Sequence, residues 1–212
     1  MTTILTEKNL KGSTLTFEFS DKWQVCKYDD QLFYKKLTVL QAVDFMALSD
    51  NGLLLMEIKY VLALDENSRL RFYADADNDK LEAIKSQLTH QQQKNVIINS
   101  VRPYLADEVS KKVKDTLLGL LASYRQEDAT LSAYSKSIFT DNTQPILVLL
   151  FLERNTELNK EENFKPLADN LKLAIEQKLS CFGNIQVGVV NSLTLPSALE
   201  ISILENISYS SL

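Results

Sequence analysis

Three charged residues stand in otherwise apolar stretches of the chain, where they could do chemistry together. Asp44 and Glu57 are flanked by apolar residues in the segments AVDFMA and LLLMEI, and Lys59 follows Glu57 by two positions. Charged side chains are costly inside such segments unless they are paired or bound to a metal ion. We therefore expect Asp44, Glu57 and Lys59 to form one site.

The sequence around these residues predicts a β-hairpin that brings them together. The segments VLQAVDFMALS and LLLMEIKYVLAL read as two strands, and Asp50-Asn51-Gly52 between them has strong turn chemistry. Residues two apart on a strand project from the same face, so Glu57 and Lys59 share a face, with Asp44 on the adjacent strand. The three charges can meet across the turn.

Two carboxylates and an ammonium group suit hydrolysis of a phosphodiester. Mg²⁺ typically takes one or two carboxylates and completes its shell with water and phosphate oxygens. A bound metal ion lowers the pKa of its water, and Lys59 could orient that water or stabilise charge on the phosphorus. The alternative is a cross-strand salt bridge on a half-exposed sheet face, which is common and weakly stabilising.

The rest of the chain predicts an α/β fold. A period-two pattern over residues 14–28 predicts a further β-hairpin, and apolar residues at three-and-four spacing predict a long helix over 104–126 whose buried face extends to Leu121 and Tyr124. The apolar run ILVLLFLE after Pro145 predicts a strand covered on both faces, which we expect helices to cover. Helices should then flank a central sheet.

A strand-helix-strand unit is predicted over residues 146–190. The second strand is IQVGVVN, and the helix spans about 160–180, with Asn159 as its N-cap and Gly183 after its end. Residues 1–212 form one predicted domain with a core at about 14–60 and 104–190. Residues 65–103 are predicted to be an insertion of uncertain structure, with a short helix in NDKLEAIKSQL.

The segment QAVDFMALSDNGLLLMEIKYV resembles the core of the PD-(D/E)xK, or restriction-endonuclease-like, nuclease superfamily. In that family a strand carrying Asp, a tight turn and a strand ending in E-x-K are followed by a helix and a further strand. Asp44, Glu57 and Lys59 match the motif residue by residue. Asp29 or Asp30 is the nearest substitute for an additional acidic residue that some members carry, and the number of metal ions stays open.

The resemblance implies a three-layer fold with a central mixed β-sheet flanked by helices, and a Mg²⁺-dependent endonuclease that acts on DNA. Asp44 and Glu57 would be the metal ligands, with Mn²⁺ as an alternative ion, and Lys59 would complete the catalytic set. A homodimer is compatible with this function, because cutting both strands often uses two sites. A non-catalytic interaction protein on the same scaffold, or an unrelated α/β protein with a structural salt bridge, is the rival interpretation.

Candidate substrate contacts lie outside the motif. Two lysine patches are available for phosphate contacts, and two arginines after the E-x-K strand could clamp a backbone phosphate; these residues are Lys35 and Lys36, Lys111 and Lys112, and Arg69 and Arg71. Aromatic residues near the motif could stack on unpaired bases, namely Tyr28, Tyr34, Tyr60, Phe72 and Tyr73. The net charge of −5 restricts any DNA contact to local patches.

Composition excludes several other classes of function. His90 is the only histidine, which argues against histidine-rich metal sites and serine-histidine triads. The five glycines form neither a G-x-G-x-x-G nor a Walker A pattern. Cys26 and Cys181 are predicted to be reduced thiols, and the sequence carries no signal-peptide core or membrane-spanning run, so we expect a cytoplasmic location without membrane contact.

Overall fold

A computed structural model of the protein describes residues 1–8, 14–61, 71–72, 86–95, 103–140 and 143–207. Its strands are β1 (Thr3–Lys8), β2 (Thr14–Phe19), β3 (Gln24–Lys27), β4 (Phe45–Ser49), β5 (Gly52–Tyr60), β6 (Ile146–Glu153), β7 (Ile185–Val190) and β8 (Ile201–Ile207). Its helices are α1 (Leu32–Lys35), α2 (His90–Asn95), α3 (Leu105–Arg125), α4 (Ser132–Phe139), α5 (Thr156–Asn159) and α6 (Glu161–Leu179). The predicted helix in NDKLEAIKSQL lies almost wholly outside the described residues.

The main sheet has five strands in the order β3-β4-β5-β6-β7. Strands β3, β4 and β5 form an antiparallel meander, whereas β5, β6 and β7 run parallel. Parallel neighbours need long crossover connections, and helices α3 and α6 lie in the two that this chain provides. The predicted α/β class, with a mixed sheet and helices, is therefore confirmed.

The β4–β5 hairpin predicted from the Asp50-Asn51-Gly52 turn is present. Gly52 has φ of +128°, a backbone conformation that favours glycine, and a Cβ at this position would lie 2.3 Å from the carbonyl oxygen of Pro145. The next residue, Leu53, donates its N–H to that same oxygen at 3.1 Å. The turn is thus attached to the start of β6, and this attachment sets β5 beside β6.

Helices cover one face of the main sheet. The predicted long helix is present as α3, with buried Val109, Val113 and Leu120 on its inner face. Leu121 and Tyr124 are 38% and 40% exposed, so their predicted burial is wrong. They lie where the helix face turns away from the sheet and toward solvent.

The predicted helix at 160–180 is also present, as α6, but Asn159 is not its N-cap. Asn159 ends α5 and is buried, and its side chain accepts the N–H of Arg154 and donates to Glu153 Oε1 at 2.9 Å. Gly183 follows the short 3-10 helix after α6 with φ of +76°, as expected for a helix end. Asn159 therefore ties the end of β6 to the loop after it instead of capping α6.

An antiparallel sheet, rather than a layer of helices, covers the opposite face. Strands β1, β2 and β8 form this second sheet in the order β1-β2-β8. The ring of Phe17 on β2 lies 4.9 Å from that of Phe151 on β6 and 6.0 Å from that of Phe45 on β4. The expectation of helices on both faces is wrong, because alternating apolar residues of a small sheet bury the strands equally well.

The predicted β-hairpin over residues 14–28 is also wrong in its pairing. Both strands exist, but β2 pairs with β1 and β8 whereas β3 pairs with β4. The turn at Ser20 therefore joins two different sheets instead of two paired strands. After this turn, Trp23 donates its indole N–H to the carbonyl of Leu199. None of the helices in the described part of the chain has an apolar stretch long enough to cross a membrane.

Candidate functional site

Asp44 and Glu57 are placed by the two strands of the β4–β5 hairpin. Asp44 lies one residue before β4, not within it as the sequence predicted, and its Oδ2 accepts the backbone N–H of Ile58 at 2.7 Å. The carbonyl of Asp44 accepts the N–H of Tyr28 at 3.2 Å. Bonds to β5 on one side and to the end of β3 on the other hold the Asp44 carboxylate beside Glu57.

Glu57 and Lys59 share the face of β5 that lies under the helices. The Glu57 side chain is only 1% exposed, and its Oε1 lies 2.7 Å from the Lys59 ammonium. This pairing follows from the strand period, because residues two apart project from the same face. The structure thus brings together the three residues that the sequence singled out.

Glu108, at the N-terminal end of α3, completes the environment of Lys59. Its Oε1 lies 2.7 Å from Lys59 Nζ, and its Oε2 lies 2.8 Å from an Arg71 guanidinium nitrogen. All three side chains are largely buried, with exposures of 11–18%. Glu108 therefore holds Lys59 in place from above the sheet and brings in Arg71 as a second cation.

Lys112 lies one helical turn after Glu108 and also points into the site. Its ammonium lies 2.6 Å from Glu57 Oε1 and 3.6 Å from Asp44 Oδ1. Residues four apart on a helix share a face, which is why Glu108 and Lys112 reach the sheet together. The sequence assigned Lys112 to a surface patch, and its burial against the two carboxylates corrects that assignment.

Acidic and basic side chains nearly balance each other in the site. Among the described residues, Asp44, Glu57 and Glu108 face Lys59, Arg71 and Lys112, so three acids meet three bases. Burial, together with the charge of Asp44, raises the pKa of Glu57 to about 7, against the opposing effect of the two lysines. Glu57 Oε2 is buried without a hydrogen-bond partner among the described residues. Glu57 is thus the group whose charge is least well compensated.

The surroundings of Glu108 and Lys59 favour the charged forms of these side chains, unlike those of Glu57. Burial opposes the charge on each, but Lys59 and Arg71 outweigh it and hold the pKa of Glu108 below its usual range. In the same way, the carboxylates of Glu57 and Glu108 outweigh burial and raise the pKa of Lys59. Glu108 on α3 and Lys59 on β5 are therefore both fully ionised at neutral pH.

Asp29 is a further carboxyl within electrostatic range of Asp44. Burial, together with Glu7, Asp30 and Asp44, raises the pKa of Asp29 to about 6 despite the nearby Lys27. Its Oδ1 is buried without a hydrogen-bond partner among the described residues. Asp30, by contrast, is exposed and lies 3.4 Å from Lys35. Of the two candidates for an additional acidic residue, only Asp29 lies in this environment.

Asp44 and Glu57 could supply two carboxylates to a magnesium ion. Asp44 Oδ1 and Glu57 Oε1 both face one cation, the Lys112 ammonium, and Glu57 Oε2 has no hydrogen bond in the described structure. One or two carboxylates with several waters are the usual protein contribution to Mg²⁺ binding. Within the described ranges, no group of three or more His, Cys, Asp or Glu side chains is arranged to hold a metal ion. These residues therefore do not form a metal site in which protein side chains supply all the ligands.

The other predicted contact residues are distributed differently. Arg71 joins the site through Glu108, whereas Arg69 lies outside the described residues. Lys111 is exposed on α3 and pairs with Asp115 at 2.5 Å. Lys35 pairs with Asp30, and Lys36 is exposed at the end of α1. In the described part of the chain, these surface lysines form no ion pair with the site carboxylates.

Most of the candidate stacking aromatics belong to the core. Tyr28 and Phe72 are buried, and the Tyr34 ring packs on that of Tyr28 with centroids 5.2 Å apart. Tyr60 lies on β5 with its hydroxyl buried, and Tyr73 lies outside the described residues. His90 is exposed at the start of α2, as expected for a surface histidine. A base-stacking role is thereby excluded for Tyr28 and Phe72 in this conformation.

Comparison with known proteins identifies no relative of this chain. No protein-family model matches the chain, and no curated protein or solved structure matches it either.

Proposed function

We propose that this chain is a Mg²⁺-dependent nuclease that hydrolyses phosphodiester bonds of DNA at a PD-(D/E)xK-type site on a restriction-endonuclease-like fold. The order of elements supports the proposal: Asp44 directly before strand β4, a tight turn, strand β5 with Glu57 and Lys59, then helix α3 and the parallel strand β6. Mn²⁺ is expected to replace Mg²⁺, since both ions favour oxygen ligands.

The observation that carries the proposal is the convergence of two carboxylates on one cation. Asp44 Oδ1 and Glu57 Oε1 lie 3.6 and 2.6 Å from the Lys112 ammonium, so both oxygens can reach a single positive centre. Glu57 Oε2 is a second buried carboxylate oxygen that accepts no hydrogen bond from the described residues, and it could also bind a metal ion. Such groups are costly unless something binds them.

Each residue has a distinct chemical task in this proposal. Asp44 and Glu57 would hold the metal ion, which when bound polarises a phosphate and makes hydroxide available near neutral pH. Lys59, fixed between Glu57 and Glu108, orients the attacking water or stabilises negative charge that develops on the phosphate. Arg71, held by Glu108, supplies positive charge beside the site for the DNA backbone.

The second candidate is a non-catalytic interaction protein, and Lys112 is the observation in its favour. With Lys112 between the carboxylates, the three acids and three bases of the site neutralise one another without a metal ion. A related rival is an α/β protein of another lineage in which the network is a structural salt bridge. In both rivals the site takes no metal.

Calorimetric titration with Mg²⁺ and Mn²⁺ tests the proposal directly. We expect wild-type protein to bind metal and Glu57→Gln to lose binding, because the amide keeps the shape of the side chain but removes its charge. A DNA cleavage assay should show metal-dependent activity that Asp44→Ala abolishes without unfolding the chain. Absence of metal binding both in wild type and in a Lys112→Met variant, with or without DNA, would support the rivals.

A further inference from the structure

Lys112 lies against both carboxylates of the proposed metal site. Its ammonium is the only described group that contacts both Asp44 and Glu57, at 3.6 and 2.6 Å from their oxygens. From this geometry we infer that Lys112 is an internal counter-ion that holds the two carboxylates in the metal-free protein and must leave before metal binds. The inference rests on the proposed metal site.

The environment of Lys112 allows this exchange. Its ammonium lies 3.6 Å from Asp44, a longer contact than either ion pair of Lys59, and it ends a flexible four-carbon stem. Glu57, by contrast, is 1% exposed and is fixed in β5. Lys59 is held on both sides by Glu57 and Glu108. Lys112 is therefore the cation of the site that can move with the least disturbance.

Charge explains why the ammonium and the metal ion exclude each other. The site is balanced with Lys112 in place, and a divalent cation between the same oxygens would put like charges within a few ångströms. Even at an effective dielectric constant of about 20, charges this close interact strongly enough to change an affinity by more than tenfold. Lys112 thus lowers metal affinity and protects the site from occupation by weakly binding cations.

Calorimetry with Mn²⁺ on wild type, Lys112→Met and Lys111→Met separates this role from a general effect of charge. Lys111 is adjacent, exposed and paired only with Asp115 in the described structure, so it is a matched control. We expect Lys112→Met to bind Mn²⁺ at least about tenfold more tightly than wild type, and Lys111→Met to bind like wild type.

Unchanged or weaker Mn²⁺ binding by Lys112→Met, with wild type binding normally, would overturn the inference and leave the proposed metal site intact. Absence of binding in all three proteins would instead overturn the metal site itself. Mn²⁺ binding by Lys112→Met, without detectable binding by wild type or Lys111→Met, would also support the inference.

A measurement on wild-type protein covers the case in which Lys112→Met does not fold. Acetylation with an amine-specific reagent, followed by mass spectrometry, reports the reactivity of individual lysines. Lys112 should react slowly in metal-free protein and several-fold faster at saturating Mn²⁺, because the metal releases its ammonium to solvent. Lys111 supplies the internal reference in the same peptide region. Equal Lys112 reactivity with and without bound Mn²⁺ contradicts the exchange.

Discussion

Glu108 on helix α3 lies 2.7 Å from the ammonium of Lys59 on strand β5, and this ion pair joins the helix layer to the sheet inside the candidate site. The contact places an acidic side chain opposite the one lysine of the E-x-K pattern. Lys59 is consequently held by two carboxylates, one from its own strand and one from the helix above it.

Glu108→Gln should destabilise the protein, because the substitution leaves Lys59 and Arg71 without their shared carboxylate in a largely buried setting. We expect the free energy of unfolding to fall by about 1–3 kcal/mol, measured by urea denaturation at neutral pH. Asp107→Asn is the control, since Asp107 precedes Glu108 but is 54% exposed in its pair with Lys178. Its substitution should cost no more than about 1 kcal/mol, and equal losses for the two variants would contradict the role of Glu108.

Lys59→Met should separate chemistry from metal binding. We expect the cleavage rate to fall about 10²–10³-fold, because a positioned charge beside the reacting phosphate is removed. Mn²⁺ affinity measured by calorimetry should not weaken, since Lys59 is a cation and the ligands are Asp44 and Glu57. Lys165→Met, at an exposed position of α6, controls for loss of a positive charge. Weaker Mn²⁺ binding together with an unchanged cleavage rate is the result that this assignment does not allow.

Asp29 should make stability depend on pH. Its folded-state pKa of about 6 lies above the ordinary value of 3.8, so the folded protein holds this proton more tightly than the unfolded chain. The contribution of Asp29 to stability is therefore present below about pH 4 and is lost as pH rises through 6. Asp29→Asn cannot ionise, and we expect it to be more stable than wild type at pH 8 but not at pH 4.

Chemical denaturation of both proteins at several pH values checks the Asp29 prediction. Asp30→Asn is the matched control, because Asp30 is the exposed neighbour that pairs with Lys35. A difference between Asp29→Asn and wild type that stays constant from pH 4 to pH 8 would show that the buried carboxyl does not carry the effect.

Gly52→Ala should disturb the turn that aligns Asp44 with Glu57. The φ of +128° is unfavourable for alanine, and the new Cβ would meet the carbonyl oxygen of Pro145 at 2.3 Å. We expect the free energy of unfolding to fall by at least about 2–3 kcal/mol. Gly183→Ala, with φ of +76° and open space around the new Cβ, has backbone strain but no clash and should lose less, about 1–2 kcal/mol. Comparable losses in urea unfolding would show that the Pro145 contact does not matter.

The sequence by itself determined the local elements of this fold. Period-two and three-and-four patterns, with the turn at Gly52, located the β4–β5 hairpin, helices α3 and α6, and strands β6 and β7. The same strand period placed Glu57 and Lys59 on one face, and the turn put Asp44 opposite them. These features could be predicted because they depend on residues close together in the chain.

Only the tertiary structure decided which elements meet and which side chains complete the site. The pattern of residues 14–28 located two strands, but their assignment to separate sheets depends on pairing with β8 and β4, which lie farther along the chain. Lys112 and Glu57 are 55 residues apart, and nothing in the spacing of either segment indicates that they touch. Their contact follows from packing of α3 across the sheet, which long-range burial of apolar surface determines and local periodicity does not record.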